Sequence, residues 1–364
     1  MKFILRHLKP ILTILFIAII FSGFTLVNPL EEKSFSKTNF ALSTVISIKA
    51  FGNNSEKAVE AAMDRIQEIE NRMSAYIEGS DVWNVNHSGS KEAVKVKPDT
   101  LQVVKRGLYY SRLTGGNFDI TIKPLVDLWA INTERPRVPE PQQVNEAIKK
   151  IGYQKVQIDE KQGTIKLLQE GAGIDLGGIA KGYAADEVIR VLREHGIKRA
   201  YADLGGNVIV LGKKKIGLME YITSWIRGKK VPREQDWKIG IQDPFKGRGL
   251  YMAIVEVSDK AVVTSGPYER NFEKDGKLYH HILSPYTGYP SASGLVSATI
   301  IADNSTDADA LSTSLFLLGE EKGLQLIESQ PGIEAITINQ YKQVRITKGL
   351  EGKIRITDKE YQLK

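Results

Sequence analysis

Apolar and polar residues alternate from Phe40 to Phe51 with the two-residue period of a strand. From Ser55 to Met73 the spacing becomes helical, with Val59, Ala62, Ile66, Ile69 and Met73 on one face. Leu101 to Leu113 predicts a second amphipathic helix stopped by Gly115-Gly116, and Gln142 to Ile151 a third, stopped by Gly152. Short strand-like runs follow at Val156–Ile158, Thr164–Leu168, Ala200–Leu204 and Val208–Leu211. Between them a helix runs from Ile179 to about Glu194, closed by Gly196. The last third predicts strands at Met252–Val257, Ala261–Thr264 and Ser297–Ile301, then a helix from Asp307 to Leu318 ended by Gly319. No fixed-period repeat is present, and helices and strands mix without a βαβ rhythm, so the pattern predicts an α+β fold.

One segment stands outside that pattern. Lys2, Arg6 and Lys9 precede an uncharged run from Pro10 to Leu30, whose centre, Ile11 to Val27, is 17 residues and almost wholly apolar. Its length lies between a signal-peptide core and a short membrane span. Residues 1–30 are therefore read as a signal peptide or an N-terminal membrane anchor. A clean A-x-A site is missing, Gly23-Phe24-Thr25 being the nearest approach, so both readings stand. The basic residues before the run place the remainder on the extracytoplasmic face of the membrane, anchored or periplasmic if cleaved. The folded domain is expected over 36–360.

Composition narrows the chemistry. Of 364 residues, 42% are apolar and 26% charged, enough to fold around a sizeable core. Cysteine is absent, which removes disulfides, thiolate nucleophiles and every Cys-containing metal site. The net charge of +7 is thinly spread and the aromatics are not interleaved with a basic stripe, so nothing points to nucleic acid. Two stretches read as surface additions. Asn132 to Pro141, with three prolines, predicts a loop. Lys213 to Asp236 gathers Lys213, Lys214, Lys215, Arg227, Lys229, Lys230 and Arg233 around Tyr221 and Trp225; it is either a solvated hairpin or an element facing a membrane or a partner.

The nucleophile-elbow, zincin, P-loop and dinucleotide-fold motifs are all missing, and the five histidines form no helical metal pair. Polar clusters at element ends remain. Gly173-Ile174-Asp175-Leu176-Gly177-Gly178-Ile179-Ala180-Lys181-Gly182 places glycines and a Lys where a helix starts, an arrangement suited to a diphosphate or to a plain turn. Asp309 and Thr313 stand four apart on one helix face, suited to a hard cation. Thr306-x-x-Asp309 equally fits a capping box. Asp119, in Asn117-Phe118-Asp119, binds a ligand edge or holds a turn; His281 is a candidate base or a structural residue; Tyr76 and Trp83 stack on a flat ring or pack.

Taken in order, these clusters resemble the ApbE family of FAD:protein FMN transferases. The matching pieces are Met73-Ser74-Ala75-Tyr76 with Ser80 and Asn86, and Gly116-Asn117-Phe118-Asp119 leading to Pro124 and Trp129. Asp175 to Gly182, Asp203-Leu204-Gly205-Gly206-Asn207, Thr264-Ser265-Gly266, His281 to Pro290 and Ala308 to Thr313 complete the series. The resemblance runs from about Leu42 to Gly319. It implies a T-fold-related α+β architecture with mixed or antiparallel sheets and packed helices. It implies a Mg²⁺ held by Asp309, Thr313 and the Gly178 carbonyl. FAD-binding positions fall at Tyr76, Asn117, Phe118, Asp119, Asp175 and Lys181, with Leu283 touching the flavin nucleotide through its backbone and His281 near the reacting diphosphate. It implies transfer of the FMN moiety of FAD onto a Thr or Ser hydroxyl of a respiratory-type flavoprotein, with AMP leaving. FAD hydrolysis to FMN and AMP, or flavin binding without catalysis, are the alternatives. Leu42-Ser43-Thr44 stands where the family has Met-Gly-Thr, and Lys213 to Asp236 is longer than the family's link between Gly212 and Trp237.

Overall fold

The computed structural model describes residues 32–228 and 232–364; the apolar run within 1–30 lies outside the described residues. Among the described residues no helix is long and apolar enough to cross a membrane.

A nine-stranded sheet organises the chain, and its strands are numbered here in chain order. They are β1 (Ser34–Ala41), β2 (Thr44–Phe51), β3 (Arg199–Leu204), β4 (Asn207–Leu211), β5 (Ala261–Ser265), β6 (Leu295–Ala302), β7 (Glu334–Asn339), β8 (Gln343–Ile346) and β9 (Gln362–Leu363). Chain order is also spatial order. Every neighbour pair is antiparallel until β8 and β9, which run parallel. The fold is therefore α+β, as the patterning predicts, with antiparallel-dominated sheets, as the resemblance implies.

The four longest helices pack on one face: α1 (Ser55–Met73), α2 (Pro98–Leu113), α3 (Ala180–Glu194) and α4 (Ser305–Leu318). Strand alternation sends Ile48, Val263 and Ile300 into the main core under them. Val210, Val262 and Ile301 point the other way, into a second core closed by a three-stranded sheet (Trp237–Gln242, Tyr251–Val257, Ile354–Ile356). Sandwiching on both faces explains why the central strands read as nearly continuous apolar runs. A smaller cluster around Leu125, Trp129, Val144 and Leu283 lies beside the main core.

The expected strand from Phe40 to Phe51 is in fact two, folded at Leu42-Ser43, where Ala41 pairs with Thr44. Both turn residues are left-handed, φ 51° and 58°. No Asn-Gly or Gly-Gly marks this hairpin, so the apolar pattern reads straight through it. The third helix begins at Pro141 and ends at Ile148. Asn132 to Glu140 is indeed irregular. Short helices at Asp81–His87 and Lys123–Trp129 and the hairpin Asn271–Lys274/Lys277–His280 were not apparent from periodicity, being too short to show a period. The Lys213–Asp236 stretch is a two-stranded stalk (Lys214–Lys215 with Glu234–Gln235) carrying a helix, Leu218–Ile226.

Candidate functional site

Antiparallel order brings the start of β2, the β3–β4 turn and the end of β5 to one end of the sheet's central strands, and the N-termini of α3 and α4 meet there. Their crossing is close. A Cβ on Gly182 would sit 2.2 Å from the Ser305 carbonyl and 2.8 Å from Asp309 Cβ, so only glycine fits. Asp186 ties the helices together, accepting from the Ser305 and Thr306 N–H groups at 2.7 and 2.9 Å and from the Thr306 hydroxyl at 2.5 Å.

The cap of α4 is Asn304, whose side chain accepts from the Asp307 N–H at 2.8 Å while its amide donates to the Asp307 carboxylate. Thr306 is engaged with Asp186, so the capping box suggested by Thr306-x-x-Asp309 does not form. Asp309 is thereby left for other work. It is 2% exposed, and one carboxylate oxygen accepts from the Gly182 N–H at 2.9 Å. Lys181 Nζ lies 3.3 Å from the other oxygen and 3.2 Å from the Gly177 carbonyl. One turn on, Thr313 Oγ1 lies 3.4 Å from Ser265 Oγ, which bonds Ser312 Oγ at 2.8 Å. Gly178 runs past this hydroxyl: a Cβ there would stand 3.7 Å from Thr313 Oγ1 and 3.0 Å from the Phe118 ring.

Sequence reasoning missed Arg270. It lies in the loop before the Asn271–Lys274 strand, and the register pairing Asn271 with His280 brings it beside His281. Its carbonyl accepts from both the backbone N–H and Nδ1 of His281, each at 3.1 Å. Its guanidinium donates to the Ser43 carbonyl at 3.1 Å, and no carboxylate forms an ion pair with it among the described residues. Burial pulls its pKa below the usual value, while Asp175, Asp309 and Tyr76 are close enough to act on it electrostatically. A half-buried cation hydrogen-bonded to one neutral carbonyl gains from an anion that joins it in the cleft. A lone Arg between Glu269 and Asn271 carries no sequence signal; only the hairpin pairing reveals it. Burial, then the Arg270 charge and more weakly His280 and Lys181, pushes His281 down to about 3, so the imidazole is neutral near pH 7.

The outer wall holds the remaining predicted positions. Asp175 follows Ile174, whose N–H and C=O are both clamped by the Asn86 side chain at 2.7 and 2.9 Å. Burial raises the Asp175 pKa, and its carboxylate accepts from the Gly177 N–H at 2.8 Å and meets the Tyr76 hydroxyl at 3.5 Å. Tyr76 stays 63% exposed with Lys123 Nζ 4.5 Å above its ring, so one aromatic face is free. Trp83, by contrast, stacks on His87 at 3.9 Å. Asn117 donates to the Thr114 carbonyl at 2.8 Å. Asp119 has both oxygens engaged, with Thr121 at 2.6 and 2.8 Å and the Tyr153 N–H at 2.8 Å. Leu283 turns its side chain into the small core and bridges Pro290 through its backbone.

No cluster of three or more His, Asp or Glu suited to a metal exists among the described residues. The oxygen set at Asp309, Thr313 and Gly178 nevertheless fits a hard cation: one carboxylate, one hydroxyl and one backbone segment, with sites left for water and phosphate oxygens. A separate cavity of about 890 Å³ lies beyond α4, against α2 and α3. There Arg106 is paired with Asp307 and Arg190 with Glu187, and none of the residues assigned to FAD or to the cation lines it.

The sequence profile of the ApbE family matches residues 42–337. A Treponema pallidum protein named FAD:protein FMN transferase is 33% identical over 341 residues, 91% of each chain. An Escherichia coli protein of the same name is 30% identical over 71% of this chain and 70% of its own. Among solved structures, the ApbE protein of Thermotoga maritima superposes with TM-score 0.78 at 31% identity, covering 89% of this chain and all of the other. The Vibrio cholerae flavin transferase ApbE gives 0.75 at 26% identity, covering 88% and 99%.

Proposed function

Because the chain belongs to the ApbE family, we propose that its cleft moves the FMN moiety of FAD onto a Thr or Ser hydroxyl of a flavoprotein and releases AMP. The chain is a transferase enzyme acting on FAD. The observation that carries the finer reading is the pair of cations, Lys181 and the unpaired Arg270, set around a buried Asp309 that does not cap its helix. A diphosphate supplies the anion that Arg270 lacks.

In this reading the diphosphate lies between Lys181, Arg270 and the start of α3, while the exposed face of Tyr76 and the Asn117–Asp119 turn take up the flavin nucleotide. Asp309, Thr313 and the Gly178 carbonyl hold Mg²⁺, which when bound neutralises charge on the diphosphate. The acceptor oxygen bonds to the FMN-side phosphorus, and the bond from that phosphorus to the bridging oxygen breaks. The electron pair leaves with AMP. The hydroxyl proton goes to neutral His281, whose Nδ1 faces the Arg270 carbonyl and whose Nε2 is left as the acceptor. The basic residues before the apolar run of 10–30 support a reading in which this chemistry takes place on the extracytoplasmic face of the membrane, with respiratory-type flavoproteins as acceptors.

The test is incubation of the purified chain with FAD, Mg²⁺ and a candidate acceptor, following AMP, free FMN and acceptor mass together. Transfer gives AMP and a heavier acceptor in equal amounts. AMP with an equal amount of free FMN means hydrolysis, and no AMP means flavin binding without catalysis; either result overturns the proposal.

A further inference from the structure

The stalk and helix over Lys213–Asp236 belong to no motif of the flavin site, and their position is informative. Glu32, directly after the N-terminal apolar segment, ion-pairs with Arg199 at the start of β3. Arg199 also interacts electrostatically with Glu234 in the stalk. Trp237, where the stalk rejoins the fold, donates its indole N–H to the Gly212 carbonyl at 2.9 Å, where the stalk leaves it. The first described residue, Glu32, thus lies at the foot of this projection.

The projection is built as an interfacial element. Six of the nine residues in its helix, LMEYITSWI, are apolar or aromatic. At the helix end Trp225 and Ile226 are 73% and 70% exposed, with Arg227 exposed beside them. Lys214 and Lys215 are exposed on the stalk, and Arg233 lies 5.0 Å over the Tyr221 ring. Exposed Trp and Ile bordered by cations match the boundary between acyl chains and anionic headgroups.

We propose that the 213–236 element docks the protein on an anionic phospholipid surface, the same surface into which the apolar N-terminal run is read to insert. The proposal rests on that reading of the N-terminus and not on the flavin chemistry. β3 runs from Arg199 at this end to Leu204 at the flavin cleft, about 17 Å at ~3.4 Å per residue. Docking therefore turns the cleft away from the lipid and toward acceptor proteins.

The test uses the full chain with vesicles of phosphatidylcholine and phosphatidylglycerol whose acyl chains are brominated, reading tryptophan quenching by the bromines. FAD affinity on the same samples reports separately on the flavin cleft. Wild type is expected to be quenched, and Trp225→Phe to lose most of that quenching while remaining vesicle-bound. Vesicles of phosphatidylcholine alone, or the triple charge reversal Lys214→Glu, Lys215→Glu and Arg227→Glu, should at least halve it. Absence of quenching in wild type overturns the proposal. So does quenching that survives Trp225→Phe or ignores the charges. Emission that shifts only when an acceptor protein is added would assign the surface to a protein instead.

Discussion

Burial and the neighbouring Arg270 and Lys181 hold His281 at a pKa of about 3, far below the ordinary imidazole. Between pH 6.5 and 3 the unfolded chain therefore binds a proton at this position that the folded chain refuses. The contribution to stability is complete above 6.5 and declines as the pH falls toward 3. His281→Gln, which cannot take that proton, should show a shallower loss of stability between pH 7 and pH 5 in denaturant titrations. Identical slopes for variant and wild type would place His281 in solvent. The same depressed pKa keeps the imidazole unprotonated at neutral pH but weakens it as a base, so proton transfer to it depends on the negative charge that a bound diphosphate brings beside Arg270.

At the scale of elements, the cleft depends on two helices meeting almost backbone to backbone. Gly182→Ala drives a methyl into the Ser305 carbonyl and Asp309, and overpacking of this kind costs about 1–3 kcal/mol. It should also weaken FAD binding, because Asp309 and Lys181 move with their helices. Asn304→Ala removes the α4 cap and should cost about 0.5–2 kcal/mol while sparing FAD affinity. Denaturant midpoints and flavin titrations on both variants check this contrast; equal losses of FAD affinity would mean that the crossing shapes the cleft no more than the cap does. Much of this scale was legible in the sequence. The helical spacing of Val59, Ala62, Ile66 and Ile69 gave α1 to its ends, and the glycines with Lys181 marked the start of α3. Leu42-Ser43 hid a hairpin because neither residue advertises a left-handed turn, and Thr306 looked like a cap because its engagement with Asp186 joins residues 120 apart in sequence. Arg270 depended wholly on strand register, which periodicity does not supply.

At the scale of the whole molecule, one end of the central strands carries the cleft proposed for FAD and the opposite end carries the stalk. Deleting residues 213–236 with a short linker joining Gly212 to Trp237 should therefore leave FAD affinity within about twofold of wild type in equilibrium titration. A folded deletion that no longer binds FAD would mean that the stalk reaches the cleft. The central claim is sharper: a buried Asp309 that does not cap its helix holds the cation needed for FMN transfer. Asp309→Asn keeps an oxygen for the Gly182 N–H, so the helix crossing survives, yet it removes the carboxylate charge a hard cation requires. The decisive measurement is the rate of acceptor flavinylation, read by intact mass, for Asp309→Asn against wild type at low Mg²⁺, with thermal melting of both. The account predicts near-equal melting, transfer reduced by at least 100-fold, about 3 kcal/mol in the barrier, and partial recovery when Mg²⁺ is raised. Wild-type transfer at low Mg²⁺ would contradict it.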